Sequence, residues 1–112
     1  MIEKYEFGRI VIDGKEYTDD VRIINGKVLP NWWRKQGHFL DVSDLKEVFA
    51  EEIKILVVGT GHSGVMKVGD SVREYCKKKG IELIELKTGD AVKKYNELSE
   101  KKGVAGAFHL TC

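Results

Sequence analysis

The chain has 112 residues, 42% hydrophobic and 33% charged, with 19 basic side chains against 18 acidic and a net charge of +1. That length and composition describe one globular domain able to bury a continuous core, and they exclude a disordered chain. The balanced charge gives no general attraction to nucleic acid or anionic lipid, and no apolar run approaches the ~20 residues needed to span a bilayer.

Residues 1–42 alternate in twos. Tyr5 and Phe7 share a face; Gly8 follows, then Ile10 and Ile12, then Asp13-Gly14 and Tyr17. Val21 and Ile23 precede Asn25-Gly26 and Val28. Asp-Gly and Asn-Gly supply the positive φ angles of tight hairpins, so this region reads as antiparallel strands. Pro30 ends the pattern. Residues 31–38, with Trp32 and Trp33, read as a loop with aromatic anchors that leads to a short extended piece at 38–40.

From residue 43 the period becomes helical. Ser43 or Asp44 is expected to cap a helix to about Glu52, with Leu45, Val48 and Phe49 on one face. Residues 53–58, apolar except for Lys54 and rich in β-branched side chains, read as a strand buried on both faces. Ser71 and Glu74 form a capping-box pair for a second helix, with Val72, Tyr75 and Cys76 inward. Lys77, Lys78 and Lys79 suit its last turn and Gly80 its end. Residues 81–86 read as a strand. Thr88 is expected to cap a third helix through Lys102, with Asp90–Lys94 and Glu97–Lys101 as pairs on its wet face. Gly103 stops it, and residues 104–110 read as a small, apolar, central strand.

This order, hairpins then a helix then βαβαβ, predicts a three-layer α/β fold in one domain, residues 1–112. Its central sheet should be mixed and largely parallel, with right-handed crossovers. The N-terminal hairpins either extend that sheet or form a second one.

Gly59-Thr60-Gly61-His62-Ser63-Gly64 matches G-x-G-x-x-G after a buried strand, and Glu85 lies 21 residues past the last glycine. A dinucleotide fingerprint also needs the helix to start within the glycines, so that its amides reach the pyrophosphate. Here the strongest helix start is Ser71, seven residues beyond Gly64, with Gly69 between. The chain also holds only one of the two halves that a dinucleotide fold uses. The motif therefore reads first as turn glycines, and second as a loop able to bind a small ligand or anion.

Ser63 next to His62 lacks the elbow spacing of a catalytic serine. The potential metal ligands His38, His62, His109, Cys76 and Cys112 show no ligand spacing, and no metal or cofactor is implied. His109, in the last strand, reads as a half-buried residue with one hydrogen bond before it reads as a ligand or base. Trp32, Trp33, Arg34 and Lys35 read first as cover for the core, then as a protein contact, and last as a nucleic-acid surface, which the neutral charge disfavours. The unpatterned cysteines point to a reducing, cytoplasmic setting. No apolar stretch follows Met1-Ile2-Glu3-Lys4, so the beginning does not read as a signal peptide.

Several stretches occur in one order: Phe7-Gly8, Val57-Val58-Gly59-Thr60-Gly61, Gly80-Ile81, Thr88 to Ala91, Tyr95-Asn96-Glu97-Leu98, and Val104-Ala105-Gly106-Ala107-Phe108-His109. This pattern resembles the small domain shared by adipogenesis-associated Mth-domain proteins, the mitochondrial complex I assembly factor 3 and many prokaryotic proteins. At this length the chain looks like a prokaryotic stand-alone member. The resemblance implies a three-layer α/β domain with extra β structure and, by analogy with the assembly factor, a binding role. It carries over no catalytic residue.

Two functional readings follow. The first is a non-catalytic interaction or assembly module, with a protein partner or a second copy of the chain meeting Trp32, Trp33 and Arg34. The second is a small-molecule or anion binder, with Gly59, Gly61, His62, Ser63, Gly64, Asn96 and His109 as contacts. It expects a concave pocket at the strand C-termini.

Overall fold

Asp13 and Asn25 adopt φ of 49° and 51°, and the glycines that follow them 81° and 77°. These paired positive angles close the two N-terminal hairpins that the sequence announces. In the computed structural model, which describes residues 1–112, strands β1 (Ile2–Glu6), β2 (Arg9–Ile12) and β3 (Lys15–Tyr17) form an antiparallel sheet of their own. Strands β4 (Val21–Ile24) and β5 (Lys27–Leu29) form the second hairpin and extend the central sheet. The hairpin region thus does both things open to it.

The chain continues through β6 (Phe39–Leu40), a 3₁₀ turn at Val42–Leu45, α1 (Lys46–Phe49), β7 (Ile55–Thr60) and β8 (Lys67–Val68). Then come α2 (Asp70–Lys79), β9 (Glu82–Leu86), α3 (Thr88–Leu98) and β10 (Val104–His109). The central sheet has the order β5-β4-β10-β7-β9. Its strands β10, β7 and β9 are parallel, and the β4–β5 hairpin joins β10 antiparallel. The architecture is a mixed three-layer α/β domain.

Alternation along the buried strands explains the layers. Leu56, Val58, Ala105 and Ala107 face a core with Leu40, Leu45, Val48, Met66, Val72 and Cys76. Val57, Val104 and Phe108 point the other way, into a core with Ile10, Ile12, Ala91, Val92 and Tyr95. One layer therefore carries α1 and α2, and the other carries α3 with the β1–β3 sheet. Gly106 leaves room for the edge-on packing of Tyr95 and Phe108, whose ring centroids lie 5.7 Å apart. No helix is long and apolar enough to cross a membrane.

The local helix signals are partly redirected by tertiary contacts. The helix expected over 43–52 is a 3₁₀ turn followed by one α-turn. Its capping box is built by Asp41 and Asp44, not by Ser43. The Ser71–Glu74 cap is not used: α2 starts at Asp70 from Gly69, and the Ser71 hydroxyl instead donates to Asp41 Oδ1 and accepts from the Val42 amide. Helix α3 ends at Leu98, short of Lys102, and Thr88 is its first residue rather than its cap. The one ion pair on α3 is Lys94–Glu97 at 3.8 Å, in place of the two expected i,i+4 pairs. Gly80 does end α2, in the left-handed conformation at φ 70°.

Candidate functional site at the C-terminal end of the central strands

Strands β7 and β10 end side by side, Thr60 opposite His109. The glycine loop leaves from Thr60, and the segment Thr111–Cys112 leaves past His109 and lies against the loop. The His62 amide donates to the Thr111 carbonyl at 2.9 Å, and the Val65 amide to the Cys112 carbonyl at 3.0 Å. The Gly61 amide donates to Thr88 Oγ1 at 2.9 Å, and that hydroxyl donates to the His109 carbonyl at 2.6 Å. The Gly64 amide closes a turn onto the Gly61 carbonyl.

These bonds answer the anion-loop expectation. Of the amides at Gly61 and Ser63, the first is spent inside the protein and the second has no protein partner. The glycines serve close approach. A Cβ on Gly59 would come 2.8 Å from Thr88 Oγ1, and one on Gly61, at φ 110°, would come 2.7 Å from the Thr111 carbonyl oxygen. The motif's glycines make room for the start of α3 at Thr88 and for the Thr111–Cys112 segment, and no helix opens within them.

His62 is exposed and leans on Phe7 and Tyr5, with ring centroids 5.7 and 6.0 Å away. The Tyr5 hydroxyl gives its one proton to the Leu110 carbonyl at 2.9 Å, so the 3.3 Å approach to His62 Nδ1 requires a proton on that nitrogen. Burial, with Asp20 adding to it, pushes the Tyr5 phenol above its ordinary pKa. Ser63 makes no bond to His62, so the two do not form a nucleophile and its base.

His109 is buried among charges that the sequence kept far apart. Its Nδ1 lies 2.7 Å from Asp20 Oδ2, across 89 positions. Arg34 Nη2 lies 2.8 Å from the same oxygen and also donates to the Gly37 carbonyl at 3.1 Å. The Leu110 amide donates to Asp20 Oδ1 at 2.7 Å. Burial alone would push the Asp20 carboxyl up; the bonds from His109 and Leu110 and the Arg34 charge outweigh it and hold the carboxyl below the usual range. An ionised Asp20 only accepts, so His109 Nδ1 carries a hydrogen, and its 3.1 Å separation from Arg34 Nη2 is a packing contact. The side chains of Arg34 and His109 are 4% and 6% exposed, and Arg34 Nε, Arg34 Nη1 and His109 Nε2 have no partner within the protein.

The remaining candidates separate. Asn96 meets no part of the loop: its amide bonds both the N–H and the C=O of Ile2, at 3.0 and 2.8 Å, and holds β1 on α3. Trp32 is core, with its Nε1 donating to the Asp44 carbonyl and the Arg34 guanidinium 4.6 Å above its ring. Trp32 and Arg34 are therefore not surface residues, because one fills the core end and the other is neutralised by Asp20. Trp33 alone of the three is exposed, at 78%. No three His, Cys, Asp or Glu side chains gather where a metal could sit.

Sequence reasoning missed Asp20, Thr88 as a bridge, and the lining of a groove beside the loop. That groove, about 490 Å³, is bounded by residues including Thr60, Gly64, Lys67, Arg73, Glu85 and Lys87. Of the candidate ligand contacts, Gly64 alone borders it. The lysines and arginine there gave no signal in sequence, since they lie in three separate segments with no shared spacing.

Residues 2–109 match the family described as "Protein of unknown function (DUF498/DUF598)". Among solved structures, the chain is similar to a conserved hypothetical protein of Pyrococcus horikoshii at 30% identity and a TM-score of 0.86, covering 100% of this chain and 99% of that one. It is similar to the protein MT938 at 29% identity and a TM-score of 0.80, covering 100% and 98%. A Mth938-like domain of Bordetella pertussis shares the fold at 18% identity, with a TM-score of 0.75 over 98% and 85% of the two chains.

Proposed function

The chain belongs to the DUF498/DUF598 family of proteins of unknown function, and from that premise we propose that it is a non-catalytic interaction module of the assembly type. It meets a partner protein at the C-terminal end of its central strands. The observation that carries this reading is Trp33, an indole 78% exposed beside a buried Trp32. Phe7 and Val65, 57% and 44% exposed, add apolar surface on segments bonded to the same end: the Gly8 amide donates to Leu110 and the Val65 amide to Cys112. Trp33 is linked to that end through Trp32, whose amide donates to the Asp20 carbonyl. Exposed Trp and Phe are the anchors that partner surfaces favour, and the occupant is a protein offering apolar pockets to them.

The resemblance to the adipogenesis-associated Mth-domain proteins and to the complex I assembly factor supports the same role by analogy. The occupied Gly61, His62 and Gly64 amides speak against an anion cradle in the loop itself. The free thiols Cys76 and Cys112 support a reducing, cytoplasmic setting.

The test is a photo-reactive residue in place of Lys35, an exposed neighbour of Trp33, with one in place of Lys101 as a distant control. A partner cross-linked from position 35 and not from position 101, then purified, is expected to bind at least about 30-fold more weakly to Trp33→Ala. Equal cross-linking from both positions, or unchanged affinity, overturns the reading.

A further inference from the structure

The chain leaves β7 and β9 toward opposite faces of the sheet. β7 leads to α2, which packs Val72 and Cys76 against Leu56 and Val58. β9 leads to α3, which packs Ala91, Val92 and Tyr95 against Val57 and Phe108. Where neighbouring parallel strands diverge in this way, a crevice opens outside their carboxyl ends, and α/β sheets bind ligands there. In this protein the crevice is the groove of about 490 Å³ between Thr60 at the end of β7 and Leu86-Lys87 at the end of β9. That volume suits a small molecule.

The lining is cationic and held in place. Lys67, Arg73 and Lys87 line the groove with one carboxylate, Glu85, and Asp70, outside the lining, comes within 3.6 Å of Arg73 Nη1. Arg73 already occupies both Glu85 oxygens, at 2.8 and 3.1 Å, and its Nη1 donates to the Val68 carbonyl at 2.7 Å. Lys67 and Lys87 take part in no ion pair. Gly64, at φ 75°, lets the Lys87 stem lie across the loop, since a Cβ there would be 3.2 Å from Lys87 Cγ. Thr60 Oγ1 donates to the Leu86 carbonyl at 3.1 Å and pins the two strand ends that form the floor. Helices α2 and α3 both begin at the rim, so their positive ends add to the field.

We propose that this groove binds a small molecule through a phosphate group, with Lys67 and Lys87 as its ligands and the Glu85-anchored Arg73 as the fixed cation behind them. Two uncompensated ammonium groups suit a dianion better than a single carboxylate. The proposal stands independently of the partner surface, which it does not use.

The experiment is an amide NMR titration of the intact protein with pyrophosphate and, separately, with adenosine monophosphate, against sodium chloride at matched ionic strength. Saturable shifts centred on Gly64, Lys67 and Lys87 are expected with at least one of the two phosphates. Tighter binding of the nucleotide would mark a nucleoside on the ligand, and tighter binding of pyrophosphate a non-nucleoside phosphate. Lys67→Gln and Lys87→Gln, both at exposed positions and checked for an unchanged Tm, are each expected to weaken binding by about tenfold. Shifts that sodium chloride reproduces, shifts that survive in the double variant, or no saturable shift with either phosphate would overturn the proposal.

Discussion

Gly61 and Thr88 hold each other by two hydrogen bonds: the Gly61 amide donates to Thr88 Oγ1 at 2.9 Å, and the Thr88 amide donates back to the Gly61 carbonyl at 3.0 Å. The same hydroxyl donates to the His109 carbonyl, so one buried side chain joins the end of β7, the start of α3 and the end of β10. Thr88→Val keeps the shape and strands both the amide and the carbonyl. It is expected to cost about 1–3 kcal/mol in urea unfolding and to speed hydrogen exchange at the Gly61 amide, while Thr88→Ser retains most of the stability.

Gly61→Ala tests the role assigned to the glycine motif. An added methyl overlaps the Thr111–Cys112 backbone at a φ that L-residues avoid. The expected result is a loss of about 1–3 kcal/mol, with lost protection at the His62 and Val65 amides that bond to that segment. Unchanged stability and unchanged protection would show that the loop does not depend on this approach.

Asp20→Ala removes the one carboxylate between Arg34 and His109 and leaves both buried without it. About 3 kcal/mol of destabilisation is expected at pH 7. The pH dependence has a fixed sign. The folded carboxyl lies below its unfolded value, so its contribution is fully present above the ordinary aspartate pKa of about 3.9 and is lost as pH falls through the lower folded value. The stability gap between wild type and Asp20→Asn should therefore be steady from pH 7 to 5 and shrink below pH 4 in denaturant titrations.

The paired tryptophans should behave in opposite ways. Trp32→Ala empties a core position and is expected to cost about 3–5 kcal/mol, whereas Trp33→Ala should stay within about 0.5 kcal/mol of wild type. Comparable losses from both would mean that Trp33 is held in the fold.

The two thiols should also separate. Burial, with Glu85 adding to it, pushes Cys76 up to about 11, while Cys112 is exposed. A thiol reagent at pH 8 is expected to label Cys112 promptly and Cys76 only on unfolding.

The elements that could be read in sequence are those whose cause is local. Asp13-Gly14 and Asn25-Gly26 fix their turns through their own φ angles, Gly80 ends α2 by the same means, and residues 55–58 are apolar because both faces of β7 are covered. The misread features have causes elsewhere in the chain. Ser71 looks like a cap, but Asp41, 30 positions away, claims its hydroxyl. Thr88 looks like a cap, and Gly61 and His109 claim it. The glycine motif spells an anion loop, yet the Gly61, His62 and Gly64 amides are taken by Thr88, Thr111 and Gly61. Asp20 and Arg34 carry no pattern at all, because their meaning appears only when β10 brings His109 onto the Asp20 oxygen that Arg34 also holds. The cationic groove is hidden for the same reason: Lys67, Arg73 and Lys87 come from three different segments.

β10 lies between β4 and β7 in the middle of the sheet, and it is the last strand in chain order. During synthesis the hairpins and the β7–α2–β9 unit emerge without the strand that joins them. Each then has an open, hydrogen-bonding edge where β10 will insert. Folding must wait for contacts between distant parts of the chain, which makes it slow for the protein's size and exposes apolar edges until β10 inserts. Nascent chains stopped before residue 104 should be the ones that depend on chaperones, and completing six residues of strand converts two partial structures into one cooperative unit.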